Sequence, residues 1–249
     1  MGSTTREMPP AAVEFSGVCR QFRGTTAAAD ISFSVAAGEC FALVGVNGAG
    51  KTTLLRCMLD YCRADRGSIH LFGIPSIRAD ARSQVAWLPE RFAPPYYLTG
   101  EDYLRYHAAL RGMPHDASAA LARLQDLDFD PAALARPART FSKGMLQKLG
   151  LAACLLARRP LTVLDEPMSG LDPLARARVR AALSGLRSDG RTLLFSSHSL
   201  EDVAALCDRL AVIHRGRLAY AGTPAGLCER TGTSVLEQAF LRCIDAPGA

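Results

Sequence analysis

The chain has 249 residues, 49% of them hydrophobic, enough for the core of one large α/β domain or two small ones. Its net charge of +5 comes from arginines dispersed along the helical stretches, which argues against nucleic acid as a direct partner. The most apolar stretch, Leu149 to Ala157, falls far short of the roughly 18 to 20 residues that cross a bilayer, and nothing at the N-terminus resembles a signal peptide.

Any membrane role is therefore expected to pass through a partner chain. The eight cysteines include no C-x-x-C pair, and several fall on strand or helix positions, so they read as reduced thiols of a cytosolic protein.

In chain order, Ala12 to Cys19 and Ile31 to Val35 read as short strands, the second alternating Ile31, Phe33 and Val35 inward. Gly38 and Glu39 turn the chain into a short buried strand, Phe41 to Val44. The next nine residues, Gly45-Val46-Asn47-Gly48-Ala49-Gly50-Lys51-Thr52-Thr53, fit G-x-x-x-x-G-K-[ST]. Lys51 to Leu59 then carries Leu54, Leu55, Met58 and Leu59 at helical spacing. Strand, loop and helix are the setting that a phosphate-binding loop requires. Gly45, Gly48 and Gly50 let the backbone curl so that its N–H groups and the helix N-terminus face phosphate oxygens. Lys51 adds a point charge, and the Thr52 hydroxyl is suited to ligate Mg²⁺. The predicted ligand is a nucleoside triphosphate.

Short strands follow at Ile69 to Phe72 and Gln84 to Leu88, the latter closed by Pro89. From Glu90 to about Arg159 the pattern is helical and broken at Pro94-Pro95, Gly112-Met113-Pro114 and Asp130-Pro131, which predicts a separate helical lobe. Strand patterns return at Leu161 to Leu164, Thr192 to Phe195 and Leu210 to Ile213. Strands alternating with helices predict an α/β fold, with a mostly parallel sheet flanked by helices and ligands at the carboxyl ends of its strands. Leu161 to Leu164 runs into Asp165-Glu166-Pro167, which puts two carboxylates at that edge. Asp165 suits Mg²⁺, directly or through water. Glu166 suits a general base orienting water for in-line attack, a role worth on the order of 10²- to 10⁴-fold in rate.

Phe141-Ser142-Lys143-Gly144-Met145, then Gln147-Lys148, precede the acidic strand at the spacing of the LSGGQ signature. Ser169-Gly170-Leu171-Asp172 resembles the D-loop, and His198 resembles the switch histidine. With these motifs in this order, the chain resembles the nucleotide-binding subunits of ATP-binding-cassette (ABC) transporters over nearly its whole length. The resemblance implies a P-loop NTPase of RecA-like fold, with an N-terminal antiparallel β subdomain and an inserted α-helical subdomain. One cassette would span 1–249, with a core lobe at 11–89 and 160–222, a helical subdomain at 90–159 and a C-terminal tail at 223–249.

It also implies ATP and Mg²⁺ as cofactors and ATP hydrolysis as the activity. Two copies, as a homodimer, would close head to tail around two ATP molecules, so that Ser142 and Gly144 act in trans. Gly45 and the run Asn47, Gly48, Ala49, Gly50, Lys51, Thr52 and Thr53 would hold the phosphates, and Phe22 would stack on adenine. His198 would reach the γ-phosphate, and Asp172 would link the two sites. The remaining partner implied is a separate transmembrane permease, placing the subunit in the cytoplasm at the inner face of the membrane.

Three departures from the family pattern stand out. Val46 replaces a frequent proline, which removes no phosphate donor. Lys143 and Met145 replace the glycine and glutamine of LSGGQ but leave Ser142 and Gly144 in place. Glu90 occupies the position of a glutamine that contacts Mg²⁺ and the attacking water. A carboxylate accepts hydrogen bonds and cannot donate them, so Glu90 predicts tighter Mg²⁺ coupling unless it pairs with Arg91.

Phe92, Tyr96, Tyr97, Tyr103 and Tyr106 are expected either to receive a permease helix or to pack inside the helical lobe. The tail from Thr233 to Leu241 resembles the ending of exporter cassettes, which favours export. The competing reading is a non-transport cassette ATPase acting on nucleic acid or ribosomes, and neither a coiled-coil insertion nor a second cassette is present to support it. A nucleotide kinase or switch GTPase would leave the Ser142 signature unexplained.

Overall fold

Two long strands, β1 (Ala11–Phe22) and β2 (Thr25–Ala36), pair antiparallel across a two-residue turn in which Arg23 and Gly24 both have positive φ. They outrun the short strands read from the sequence, because the β2 half near the turn (Thr25 to Ala28) has no apolar alternation. The computed structural model describes residues 11–245. Residues 1–10 and 246–249, the two ends of the single cassette expected from the sequence, lie outside the described residues.

The chain continues through β3 (Cys40–Val44), α1 (Lys51–Met58), β4 (Arg66–Leu71), β5 (Ile74–Pro75), α2 (Ala79–Ser83) and β6 (Val85–Leu88). The helical stretch expected after Glu90 contains α3 (Gly100–Leu110), α4 (Ala117–Asp126) and α5 (Lys143–Leu156), with two 3₁₀ turns between α4 and α5. Then come β7 (Leu161–Asp165), α6 (Pro173–Ser188), β8 (Thr192–Ser197), α7 (Leu200–Leu206), β9 (Arg209–His214), β10 (Arg217–Gly222), α8 (Pro224–Thr231) and α9 (Leu236–Asp245). Among the described residues, no helix is long and apolar enough to cross a membrane.

Two sheets result. β2-β1-β4-β5 is antiparallel, and β10-β9-β3-β8-β7-β6 is parallel except for its edge strand β10. The five parallel strands read as near-continuous apolar runs because both faces of their sheet are covered. Successive side chains of β3 enter opposite cores, Ala42 and Val44 on one face and Phe41 and Leu43 on the other. The first face is covered by α5, α6 and the helical stretch, through Leu151, Val179, Leu124 and Phe141. The second is covered by α1, through Leu54, Leu55 and Met58, and by the antiparallel sheet. Phe15, Phe33 and Phe41 stack in series, with ring centroids 4.6 and 5.4 Å apart, and join the two sheets.

Register then sets the site. Val44 pairs with Ser197 and Asp165 with Ser196, so β3, β7 and β8 end together at one edge of the parallel sheet. The residues following those strands meet there.

Candidate functional site

The loop between β3 and α1 is shaped by its glycines. Gly50 has φ +114, and a Cβ there would strike the Ala27 carbonyl oxygen; a Cβ at Gly45 would strike that of Ile213. From behind, the Gly216 N–H donates to Ala49 O at 3.0 Å, and Ala29 N–H donates to Gly216 O at 2.7 Å. Gly50 is the N-cap of α1 and offers no side-chain cap, so the first backbone donors of the helix are left for a ligand. The loop, Thr25 to Ala27, Glu90 and Glu166 enclose a cleft of about 280 Å³. Asn47 and Gly48 are exposed on it, and Thr52 and Thr53 are half-buried. An uncapped helix start, a glycine cradle and a buried lysine fit a polyphosphate.

Lys51 is buried. Its ammonium donates to Gly45 O at 2.6 Å and lies 3.3 Å from Glu166 Oε1. The second contact is a charge contact without hydrogen-bond geometry, since Glu166 Oε1 is buried and accepts no hydrogen bond. The other carboxylate oxygen, Oε2, is 2.8 Å from His198 Nδ1. Glu166 follows the last residue of β7 with φ +48, a left-handed conformation that costs a non-glycine residue about 1 kcal/mol or more and turns its side chain out of the strand line. Ser196 holds that turn by accepting from the Glu166 N–H at 2.9 Å and donating to Asp165 Oδ1.

Asp165 is almost fully buried and also accepts from Thr52 Oγ1 at 2.9 Å. Burial pushes its carboxyl above the ordinary range, and Glu90 and Glu166 add to this, against the hydrogen bonds from Ser196 and Thr52. This concentration of negative charge beside a hydroxyl fits a hard cation. Among the described residues, no three His, Cys, Asp or Glu side chains converge as a metal cage. Two protein oxygens, Thr52 and Asp165, therefore fit Mg²⁺ that takes most of its shell from phosphates and water. Glu90 is exposed, lines the phosphate cleft, and borders a second cleft of about 320 Å³ with Thr52, Arg56 and Asp165. It forms no ion pair with Arg91 or any other described residue.

The other expected residues stand apart from the cleft. Ser142 is exposed and caps α5 by accepting from Met145 N–H at 3.2 Å, with Gly144 beside it. Asp172 is exposed and caps α6, and the Ala175 N–H it accepts holds its carboxyl below the usual value. Neither Ser142, Gly144 nor Asp172 lines the phosphate cleft. Phe22 is exposed at the hairpin tip, paired with Thr25, with the Arg20 guanidinium 4.4 Å from its ring centroid. Tyr103 is not the surface aromatic that a docking role would need: it is buried edge-on to Phe92, centroids 5.3 Å apart, whereas Tyr96, Tyr97 and Tyr106 are exposed.

Thr25 to Ala27 as cleft wall and Gly216 as backstop were missed from the sequence. The only signal for the latter is the Arg215-Gly216 turn before the alternating Leu218 and Tyr220.

A family model described as "ABC transporter" matches residues 28–169, more than half of the chain. An uncharacterized ABC transporter ATP-binding protein of Synechocystis sp. is 39% identical over 198 residues, covering 78% of this chain and 56% of that protein. The chain thus spans little more than half the length of that relative. Nod factor export ATP-binding protein I of Burkholderia lata is 37% identical over 235 residues, covering 92% of this chain and 77% of that protein. A solved ATP binding subunit of an ABC transporter superposes with TM-score 0.84 at 28% identity, covering 93% of this chain and 99% of that one. The chain belongs to the ABC transporter family, as an ATP-binding component.

Proposed function

We propose that this chain is an ATP-hydrolysing subunit that powers a separate membrane-spanning permease, working as a dimer in which each copy completes the other's site. Lys51, Thr52, Asp165, Glu166 and His198 gather at one sheet edge, and that is half of a hydrolytic site. The observation that carries the reading is Ser142, which is exposed at a helix N-terminus outside the cleft of its own chain. There its hydroxyl and the adjacent backbone are free to meet a γ-phosphate held by another copy.

Thr52 and Asp165 would hold Mg²⁺, which when bound would offset charge on the phosphates. Glu166 would take the proton of an attacking water, and His198 would hold Glu166 and the γ-phosphate in place. Phe22 is assigned to the adenine, and Asp172 to contact between the two copies. Glu90 is assigned to the metal and water on the side facing the helical subdomain, 90–159. The exposed Tyr96 and Tyr97, and a cavity of about 260 Å³ walled by Leu104, His107, Met113 and Leu156, offer a place for a permease helix. The subunit would then sit at the cytoplasmic face of the membrane. Export is the favoured direction, supported by the relatives named for Nod factor export.

Sedimentation of the Glu166→Gln protein with and without Mg²⁺ATP tests this reading. The substitution keeps the shape of the side chain and removes the base, so an ATP-dependent dimer with little turnover is expected. A protein that stays monomeric at saturating ATP defeats the reading.

A further inference from the structure

Lys143 begins α5, where a cation opposes the helix dipole and is disfavoured. Its side chain is nevertheless directed to one place. The stem lies against Gly170, with Cδ, Cε and Nζ 3.0, 3.2 and 3.4 Å from where a Cβ would stand, and Gly170 has φ +77. The ammonium donates to Ser169 Oγ at 3.0 Å. Ser169 in turn donates its N–H to Glu166 O at 3.1 Å, closing a turn directly after the proposed base. One helical turn further on, Gln147 is buried and donates Nε2 to Pro167 O at 3.0 Å. Gly144 faces the same segment, a Cβ there standing in ordinary contact with Gly170 O at 3.5 Å. The start of α5 therefore grips the segment from Glu166 to Gly170 at two points, one buried and one at the surface.

We propose that Lys143 is a positioning residue that ties the segment following Glu166 to the loop carrying Ser142, so that engagement of Ser142 sets the placement of Glu166 in the same chain. This rests on the half-site reading above and adds a route by which one nucleotide governs hydrolysis of the other. A glycine at position 143 has no side chain with which to make this tie. The Gln147 bond holds the backbone of Pro167, while the Lys143 bond holds the side chain of Ser169 at the exposed end of the turn.

Steady-state ATP turnover of the full chain carrying Lys143→Met, Ser169→Ala or both tests the proposal. Lys143 is exposed and Met keeps its stem, so the fold is retained. Each single change is expected to lower kcat about tenfold with the KM for ATP within about twofold, and the double variant to be no slower than either. Unchanged kcat, or multiplying losses in the double variant, overturns it. A raised KM at constant kcat also overturns it, because Lys143 would then be a phosphate ligand. Ser142→Asp separates the two ideas. If it turns over ATP normally, the half-site reading fails; if it is inactive while Lys143→Met is normal, only the role of Lys143 fails.

Discussion

His198 Nδ1 lies 2.8 Å from Glu166 Oε2, joining the end of β8 to the end of β7 through a carboxylate that lines the phosphate cleft. His198 is half exposed whereas Glu166 is nearly buried, so the histidine is the solvent-facing side of the pair. Lys51 adds a charge contact at Oε1, so the hydrogen bond that orients the carboxylate is the one from His198 to Oε2. His198→Ala is expected to lower kcat roughly 10- to 100-fold while leaving ATP affinity within a few fold, because the base loses its orientation and the phosphate loop is untouched. Turnover and nucleotide-binding titrations on the same preparation check this.

Ser196 is fully buried and serves both acidic residues. Ser196→Ala leaves the Glu166 N–H without an acceptor and removes a donor from Asp165. The expected cost is about 1–3 kcal/mol of stability, measured by denaturant unfolding, together with lower turnover.

Glu90 faces Thr52 and Asp165 across a shared cleft and has no ion-pair partner among the described residues. Replacing it with Gln removes a negative charge near the proposed metal. The Mg²⁺ concentration for half-maximal ATPase activity is expected to rise several-fold in Glu90→Gln. Coincident Mg²⁺ curves would detach Glu90 from the metal.

Burial, reinforced by Arg111, pushes the His107 imidazole down to about 4, and its Nε2 accepts a hydrogen bond from Arg111 Nε at 3.3 Å. The unfolded chain takes up this proton near pH 6.5, whereas the folded one resists it until about 4. Stability therefore falls as pH drops through that window, by roughly 1–3 kcal/mol from this residue after allowing for solvent screening. Gln keeps an acceptor for Arg111 and does not titrate. The difference in melting temperature between wild type and His107→Gln should accordingly change between pH 6.5 and 4 and stay flat above pH 7.

The parts of the fold readable in advance were those whose burial is written locally. β3, β7, β8 and β9 are apolar on both faces and stand out as short runs, and the phosphate loop is continuous in sequence. β10 was not read because its side chains are half exposed, with no apolar run to mark it. β5 and α2 are too short to carry a period. At the site, the identities of Lys51, Asp165 and Glu166 were legible from motif and position. The pairing of Lys51 with Glu166, and the bridging by Ser196, arise from strand register between segments far apart in the chain and leave no local pattern. Docking and packing inside the helical lobe both stay open for Tyr103 in the sequence, because only the packing of α3 on Phe92 separates it from the exposed Tyr96, Tyr97 and Tyr106.

The central claim is that a nucleotide is completed by groups from two copies of this chain. Mixing two separately inactive proteins tests it most directly: Lys51→Ala, which cannot hold the phosphates, and Ser142→Asp, which preserves the helix cap while repelling a γ-phosphate. In a mixed dimer one site carries both lesions and the other carries neither. The account predicts that equal parts of the two recover ATP turnover on mixing, below the ceiling of about a quarter of the wild-type rate that random pairing sets, because the copy supplying Glu166 to the intact site has no engaged Ser142 of its own. A mixture no more active than its inactive components, under conditions where the two proteins dimerise, would contradict it.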